Sequence, residues 1–334
     1  MDGTMTGNGG GKVDYDVVVV GGSAAGLSGA LALSRARRRV AVVDSGEPRN
    51  APASGVHNYL GREGASPAEL YAVGRGEVEG YGGTIVDGTV ESVLRAEDGS
   101  FRIGLQDGSV LTSRRVLAAS GASDELPDIP GLAAHWGTDV LHCPYCHGWE
   151  AGGKQLGVLA THLDTAVHQA LMWRQWCEDI VLFLNDAGEP DAEQSRQLAA
   201  RGIRVVGGAV AAVEGDAGLT GVRLASGKFV SRQALVVLTR LRARADYLSG
   251  VGLEAEEQHF GDLAVGTAVA VDSSGVTSVP GIFAAGNLTA PMTQVIGAAS
   301  AGLAAATAIN AELIEEDTSA AVAAAAQRGG ILQG

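Results

Sequence analysis

The sequence predicts an α/β fold with two Rossmann-like nucleotide-binding domains, the first of them discontinuous along the chain, and three observations lead to this prediction. Short apolar strands alternate with helical patterns along most of the 334 residues, an alternation typical of parallel sheets covered by helices. A glycine-rich turn joins the first strand to the first helix, as in nucleotide-binding βαβ units. The last strand and helix cannot form a domain alone, so we expect the chain to return to its first domain.

The first βαβ unit lies near the start of the chain. Tyr15–Val20 (YDVVVV) is a short apolar, β-branched run, typical of a buried parallel strand. The turn 21–26 (GGSAAG) and a helical pattern over 27–36 follow, and a second strand at 40–43 ends at Asp44. This order of strand, turn, helix and strand predicts one complete βαβ unit.

The later elements repeat the alternation. A second βαβ unit comprises a strand at 155–160, a helix at 165–176 and a strand at 180–184. Strands or a hairpin over 204–223, strands at 234–239, 268–271 and 282–285, and a long alanine-rich helix over 293–313 complete the prediction.

Composition and charge exclude several function classes. The net charge of −14 argues against a nucleic-acid partner, because phosphate binding requires clustered lysines and arginines. No run approaches the ~18 consecutive apolar residues of a membrane span. Residues 1–13 are polar and glycine-rich, so we expect a disordered leader in a cytoplasmic protein without membrane attachment. Residues 315–334 turn acidic and then rich in alanine and glycine, which predicts a flexible tail.

The glycine-rich turn at 21–26 has the context of a dinucleotide site. A strand, a glycine turn and a helix place backbone N–H groups and a helix N-terminus against a pyrophosphate. Asp44 or Glu47 follows about 20 residues later, where an acid holds a ribose hydroxyl. The turn departs from G-x-G-x-x-G at Ser23, and a small side chain is tolerable there. The nucleophile elbow of hydrolases shares this geometry but requires glycine where Ala25 stands, so dinucleotide binding is the prediction.

The pair Cys143 and Cys146 stands in the string HCPYCHGWE and could serve three chemistries. Zinc requires about four ligands. Cys177 is the only other cysteine and is expected to be a buried helix residue, while His142 and His147 flank the pair too closely to complete a tetrahedral site easily. Haem attachment through Cys-x-x-Cys-His usually requires export. A redox pair fits best, because a helix N-terminus and a neighbouring imidazolium make thiolate available near neutral pH; no metal is expected.

Four strings make the chain similar, over nearly its full length, to the flavin-dependent thioredoxin reductases. They are GGSAAGLSGA (21–30), VLAASGASDELPDIPG (116–131), HCPYCHGWE (142–150) and TSVPGIFAAGNLTAPMTQVIGAASAG (277–302). The resemblance implies two Rossmann-like domains of the thioredoxin reductase type. It implies an FAD-binding domain formed by 14–122 and 245–314, and a middle domain, 123–244, that carries the cysteine pair.

The resemblance also implies which residues contact FAD. In this family the first glycine turn binds the cofactor, the turn at 119–121 marks the passage between domains, and the start of the last helix faces the isoalloxazine ring. The expected contacts are Gly21, Gly22, Ser23, Ala24, Ala25, Asp44, Ser45, Arg49, Asn50, His57, Asn58, Ala119, Ser120, Gly121, Gly286, Asn287, Gln294 and Val295. Asn287 departs from the aspartate usual in the family, but an amide can also hydrogen-bond a ribityl hydroxyl.

The middle domain departs from the reductases at its nucleotide turn. A reductase binds NADPH there through a second glycine loop, whereas the corresponding segment 161–166 (THLDTA) contains no glycine. Side chains at these positions prevent close approach of the backbone to a pyrophosphate, and Asp164 would repel it. Asn185 and Asp186 follow the next strand, where an NADPH site would offer arginines. The sequence therefore predicts that the nucleotide site of this domain is lost.

The cysteine string and the changed nucleotide turn resemble one branch of the family, the dithiol oxidases of holomycin, gliotoxin and related disulfide natural products. The resemblance implies that Cys143 exchanges with a small-molecule dithiol and that Cys146 contacts the flavin. It implies that His142 and His147 shuttle protons, that dioxygen reoxidises FAD to give hydrogen peroxide, and that the protein is a homodimer. Exchange passes through a mixed disulfide, so one sulfur must face the substrate and the other the flavin.

Three other functions stay open from the sequence. The first is a disulfide reductase that uses NAD(P)H, and the second is a reductase that receives electrons from ferredoxin. The third is a flavin-binding sensor or scaffold without turnover. The segment 161–166 argues against the first, but no residue distinguishes dioxygen from ferredoxin as the electron partner.

Overall fold

In the computed structural model, which describes residues 13–331, strands and helices alternate along the chain. The strands are β1 Tyr15–Val20, β2 Val40–Asp44, β3 Thr84–Asp87, β4 Val90–Arg95, β5 Phe101–Leu105, β6 Val110–Ala118, β7 Ala122–Glu125, β8 Val140–Leu141, β9 Leu156–Leu159, β10 Ile180–Phe183, β11 Arg204–Val206, β12 Val210–Glu214, β13 Gly221–Leu224, β14 Phe229–Ser231, β15 Ala234–Val237, β16 Arg240–Ala243, β17 Glu256–Phe260, β18 Leu263–Ala268 and β19 Ile282–Ala284. The helices are α1 Ala24–Arg35, α2 Pro67–Gly80, α3 Pro144–His147, α4 Leu163–Trp173, α5 Ala192–Ala200 and α6 Val295–Ile331.

The first lobe is built on a sheet with the strand order β3-β2-β1-β6-β5-β4, to which β19 is added beside β6. Val17, Val18 and Val19 are fully buried, as expected for a parallel strand covered on both faces. Because β19 and α6 come from the end of the chain, the predicted discontinuous first domain is confirmed. A Cβ atom at Gly302 of α6 would overlap the Ala25 carbonyl, so glycine lets α6 pack directly on α1.

The second lobe is a smaller parallel sheet with the order β11-β10-β9-β15-β8. Helix α4 crosses between β9 and β10, and Trp173 at its end is fully buried against the sheet. Strands β12, β13 and β14 form a separate antiparallel sheet. The second Rossmann-like domain predicted from the sequence is therefore confirmed.

The two lobes are joined through a four-stranded sheet with the order β17-β18-β16-β7. Strands β7 and β16 pair antiparallel, with Ala122 opposite Ala243 and Asp124 opposite Leu241. The chain therefore leaves the first lobe and returns to it through two adjacent strands, close to the predicted boundaries at 122 and 244. Asp124 thus stands on the connection between the lobes.

Residues 315–331 of the predicted flexible tail lie in α6, which continues to Ile331. Arg114 donates to Glu316 at 2.9 Å and to Asp317 at 2.6 Å, and Arg38 pairs with Asp317 at 2.6 Å. These ion pairs hold the acidic segment against the first lobe. Alanine, which dominates the next turns, has the highest intrinsic helix propensity.

Helix α6 is also long and apolar enough to cross a membrane by length and composition. Ile309 and Leu313, however, are completely buried in the core that α6 shares with α1. Glu312 pairs with Arg115 at 2.8 Å on the same stretch. A helix with a buried apolar face and paired acids belongs to the core of this lobe.

Two further predictions differ from the structure or fall outside it. The strand predicted at 268–271 ends at Ala268 and extends in the other direction, because β18 pairs with β17 from Leu263 onward and with β16 at Gly266. The predicted leader at 1–13 lies outside the described residues except for Val13.

Candidate functional site

One cavity of about 750 Å³ is lined by both lobes and brings together most of the predicted site residues. All four residues predicted to be catalytic line it: His142, Cys143, Cys146 and His147. The predicted cofactor residues that line it are Gly21, Ser23, Ala24, Ala25, Asp44, Ser45, Arg49, Asn50, His57, Ala119, Ser120, Gly121, Gly286, Asn287, Gln294 and Val295. Gly22 and Asn58 are not among the residues that line it.

At one end the cavity meets the glycine turn and the start of α1. Gly21 has a φ of 107°, and a Cβ atom there would overlap the carbonyl of Ala119. Ser23 occupies the N-cap of α1 without a side-chain cap hydrogen bond, so N–H groups of the first helical turn remain available. An uncapped helix N-terminus behind a glycine turn is an anion site and fits the pyrophosphate of a dinucleotide.

Gly22 acts through Asp44. Its N–H donates to Asp44 Oδ1 at 2.9 Å, and Arg75 pairs with the other carboxylate oxygen. A Cβ atom at Gly22 would overlap the Asp44 carboxyl group. Gly22 therefore positions the acid that was predicted to hold the ribose.

Asn58 hydrogen-bonds the loop that carries the two cysteines. Its backbone has a φ of 60°, and its N–H donates to Glu63 Oε2 at 2.8 Å. Its Nδ2 group donates to the carbonyl of Tyr145 at 2.7 Å, between the two cysteines. Asn58 thus connects the first lobe to the cysteine loop of the second.

The amide of Asn287 explains its departure from the usual aspartate. Its Nδ2 group donates to the carbonyls of Ala290, Pro291 and Thr293 at 3.3, 2.8 and 3.0 Å. These carbonyls form the turn that leads into α6. A carboxylate has no proton to donate and would be repelled by three carbonyl oxygens, so this turn requires an amide.

Cys143 and Cys146 form a disulfide with their Cα atoms 5.3 Å apart. Cys143 is the N-cap of the short helix α3, and Pro144 occupies its first turn, where proline is favoured. Both cysteines are half-buried, whereas Tyr145 between them is exposed. Within residues 13–331, no three His, Cys, Asp or Glu side chains gather into a potential metal site. The pair can undergo thiol–disulfide exchange at the wall of the cavity.

His142 is surrounded by opposite charges. Its Nε2 atom lies 3.3 Å from Arg49 Nη2, and its ring stacks on Trp136 with 5.6 Å between centroids. Burial and then the Arg49 guanidinium lower the pKa of His142 to about 4, against the opposing charge of Asp124. His142 is therefore neutral near pH 7.

Arg49, which is predicted to contact the cofactor, lines the cavity, and its guanidinium pairs with Asp124. Arg49 donates to both Asp124 oxygens at 2.6 and 2.8 Å, and Thr239 donates to Asp124 at 2.7 Å. The Asp124 side chain is only 6% exposed. Arg49 lines the cavity with a charge that is already paired.

His147 lies on the other side of the cysteine pair. Burial lowers its pKa, the Glu150 carboxylate opposes this shift, and His57 adds to it. The His57 ring lies 2.7 Å from Glu63 and 3.4 Å from Glu150, which connects this side of the cavity to the surface.

The segment 161–166 is filled by side chains. His162 forms the N-cap of α4, and its Nδ1 atom lies 3.2 Å from Thr165 Oγ1. Asp164 accepts from Gln194 at 2.7 Å. Asn185 accepts from the Val210 N–H at 2.9 Å. The structure places side chains with internal partners where the glycine loop of a second nucleotide site would lie.

Sequence reasoning missed several residues that line the cavity. Tyr247 is buried beside Ser120, with the two hydroxyl oxygens 3.1 Å apart, and burial raises the pKa of Tyr247. Gln169 and Met172 of α4 also line the cavity. The helical pattern of α4 marks Met172 as a core residue, and no local signal indicates that this face borders a site.

Comparisons with known proteins agree over most of the chain. Residues 15–306 match the pyridine nucleotide-disulphide oxidoreductase family. "Thioredoxin reductase sirT" of Leptosphaeria maculans is 30% identical over 322 residues, 92% of this chain and 96% of the relative. The crystal structure of HlmI is 45% identical with a TM-score of 0.85, covering 93% of this chain and 96% of HlmI. The crystal structure of an oxidoreductase from Agrobacterium tumefaciens is 37% identical with a TM-score of 0.82, covering 90% of this chain and 98% of that protein.

Proposed function

Because the chain belongs to the pyridine nucleotide-disulphide oxidoreductase family and is a flavin-dependent disulfide oxidoreductase, we propose that it oxidises a small-molecule dithiol to an intramolecular disulfide. The proposed cofactor is FAD, and the proposed electron acceptor is dioxygen, which is reduced to hydrogen peroxide. The observation that carries the proposal is the Cys143–Cys146 disulfide in the wall of the cavity that also contains the Gly21 turn. One cavity thus holds a redox-active pair and a dinucleotide-binding turn.

The residues present fit FAD. The Gly21 turn and the uncapped start of α1 would hold the pyrophosphate, and Asp44, fixed by Gly22, would hold the ribose. The turn at Asn287 and the start of α6 would face the flavin ring. When bound, FAD supplies a two-electron acceptor that a cysteine pair can reduce and dioxygen can reoxidise.

The cysteines carry the exchange with substrate. A substrate thiolate attacks Cys143 Sγ, the bond between the cysteines breaks, and Cys146 leaves as a thiolate. The second substrate thiol then attacks the substrate sulfur of this mixed disulfide, which closes the substrate disulfide and releases Cys143. Two electrons pass from the substrate to the pair, and a cavity-lining imidazole accepts the thiol proton.

The filled segment 161–166 supports the proposed direction of electron flow. A reductase that draws electrons from NAD(P)H needs a backbone turn open to a pyrophosphate. Here Thr165 and Asp164 have internal partners. This supports electron entry at Cys143 from a dithiol.

A homodimer in the cytoplasm is part of the proposal. Ile296 and Leu303 of α6 lie one heptad apart and are 44% and 50% exposed, and an apolar stripe of this kind suits a second copy. The cytoplasm keeps small thiols reduced until an enzyme oxidises them.

Oxygen uptake with a panel of small dithiols tests the proposal. We expect turnover with at least one dithiol, one hydrogen peroxide per disulfide formed, and background rates for Cys143→Ser and Cys146→Ser. Cys177→Ala is the matched control, because this thiol is fully buried outside the cavity and donates to the Ala151 carbonyl. Wild-type turnover in both serine variants would overturn the mechanism.

A further inference from the structure

We infer that Arg49 and Asp124 give the two histidines different roles. They hold His142 as a hydrogen-bond donor, and His147 is the group that accepts the substrate proton. The inference deepens the proposed function and rests on it, because the proton concerned is the one that a dithiol releases. Arg49 and Asp124 are positioning residues, since they act through His142.

The hydrogen bond to Arg49 fixes the tautomer of His142. A guanidinium carries only donors, so Arg49 Nη2, at 3.3 Å, makes His142 Nε2 the acceptor. In the neutral ring the proton must then lie on Nδ1. The stacked Trp136 ring holds the plane of the imidazole.

Asp124 holds Arg49 in its hydrogen bond to His142 Nε2. It takes two hydrogen bonds from Arg49, and Thr239 completes its coordination. With Asp124 almost completely buried, movement of Arg49 would leave a buried carboxylate unpaired, which is strongly unfavourable. The lone pair of His142 Nε2 is therefore occupied for as long as the pair persists.

The charges around His142 agree with this role. Arg49 and His147 disfavour its protonation, Asp124 favours it, and the balance places its pKa at about 4. A ring that stays neutral with its proton on Nδ1 can donate to a thiolate but cannot take a proton from a thiol at neutral pH.

His147 differs from His142 in its ring contacts, although burial lowers the pKa of both. Within residues 13–331 neither of its ring nitrogens has a hydrogen-bond partner, although it lines the cavity beside Cys146. Its charged neighbours are Glu150, which favours protonation, and His57, which disfavours it. The His142 ring lies 6.4 Å away between centroids. His147 can therefore accept a proton and pass it toward His57 and Glu150.

The steps balance as follows. His147 takes the first thiol proton, the substrate thiolate attacks Cys143 Sγ, and the Cys146 thiolate leaves toward the Nδ1–H of His142. The proton on His147 then goes to Cys143 as the second substrate sulfur displaces it, and the second thiol proton leaves through His147. The substrate loses two electrons and two protons, and the pair becomes one thiol and one thiolate.

Nitrogen-15 NMR of the FAD-loaded protein, labelled at histidine and assigned with His142→Gln, tests the tautomer without any substrate. We expect His142 to show the Nδ1–H neutral form from about pH 5.5 to 8.5. In Arg49→Met the Nε2 atom is free and His142 gains a proton at higher pH. Arg244→Met is the matched control, because this other cavity-lining arginine bonds the Glu47 carbonyl and should leave the His142 tautomer unchanged.

Rapid mixing of the FAD-loaded protein with a dithiol that it oxidises provides the kinetic test. The rate of reduction of the bound flavin should fall by about 10²-fold or more in His147→Gln. The decrease of this rate at acidic pH, its acid limb, should disappear in the same variant. In His142→Gln the rate should be lower but keep the acid limb. In Asp124→Asn the acid limb should not move to higher pH. An Nε2–H tautomer, or loss of the limb in His142→Gln alone, would overturn the inference. If no dithiol reacts, the proposed function fails, and the NMR arm still decides the histidine assignment.

Discussion

At the scale of single residues, the site depends on groups whose chemistry cannot be exchanged for a near relative. Gly21 passes so close to Ala119 that no side chain fits between them. Asn287 supplies two amide protons to a turn of carbonyls, which an acid of the same shape cannot do. Arg49 presents donors to Asp124 and His142 at once. Each of these residues therefore admits a specific prediction.

Gly21→Ala should lose the flavin and destabilise the first lobe. The added Cβ atom overlaps the Ala119 carbonyl, and a φ of 107° is unfavourable for alanine. We expect a loss of about 2–4 kcal/mol in the free energy of unfolding, measured by urea denaturation, with less flavin retained. Gly227→Ala is the control: Gly227 also has positive φ, at 86°, but open space around its Cβ position, so it should cost about 1 kcal/mol and keep the flavin. Equal losses would contradict the role of the overlap.

Asn287→Asp should weaken flavin binding although it restores the residue common among similar sequences. The carboxylate cannot donate to the three carbonyls before α6, so we expect a loss of about 1–3 kcal/mol in stability and a lower flavin content. Asn310→Asp is the same change on α6 where the amide oxygen accepts from Arg38 Nε at 2.8 Å. That variant should be neutral or slightly stabilising in the same thermal melts.

At the scale of elements, the sequence predicts those strands and helices whose pattern is complete in itself. Strands β1, β2, β9 and β10 are continuous apolar runs, and the structure confirms them. Strand β3, at the sheet edge, has four residues, of which the two at its ends are exposed and the two between them only half-buried, so its local pattern is weak. The segment after residue 314 could not be assigned because its stabilising partners, Arg38 and Arg114, lie about 200 residues or more away.

Ending the chain at Leu313 should lower the melting temperature, whereas ending it at Thr318 should not. The first truncation removes Glu316 and Asp317, which pair with the mostly buried Arg38 and Arg114. We expect a loss of about 1–2 kcal/mol, because several charges act as a network instead of as one exposed pair. Differential scanning calorimetry of both truncated chains measures this. Similar melting temperatures would show that the ion pairs do not stabilise α6.

At the scale of the whole molecule, the fold class follows from the sequence but the relation of the lobes at the site does not. The alternating pattern and the glycine turn suffice to predict two Rossmann-like domains. The pairing of Arg49 with Asp124 joins positions 75 residues apart. Arg49, a residue expected to contact FAD, thereby also lies beside His142. The contact of Asn58 with the Tyr145 carbonyl likewise crosses between lobes, and holds the cysteine loop over the cavity.

This arrangement predicts that reduced nicotinamide nucleotides leave the bound flavin oxidised. The segment 161–166 presents paired side chains in place of a glycine loop, and Asp164 adds a negative charge where a pyrophosphate would lie. In anaerobic titrations followed by visible absorption, we expect no bleaching with NADPH or NADH at concentrations that saturate reductases. A dithiol added to the same cuvette should bleach the flavin, and air should restore it. Stoichiometric bleaching by NADPH would reverse the proposed direction of electron flow and make the protein a disulfide reductase.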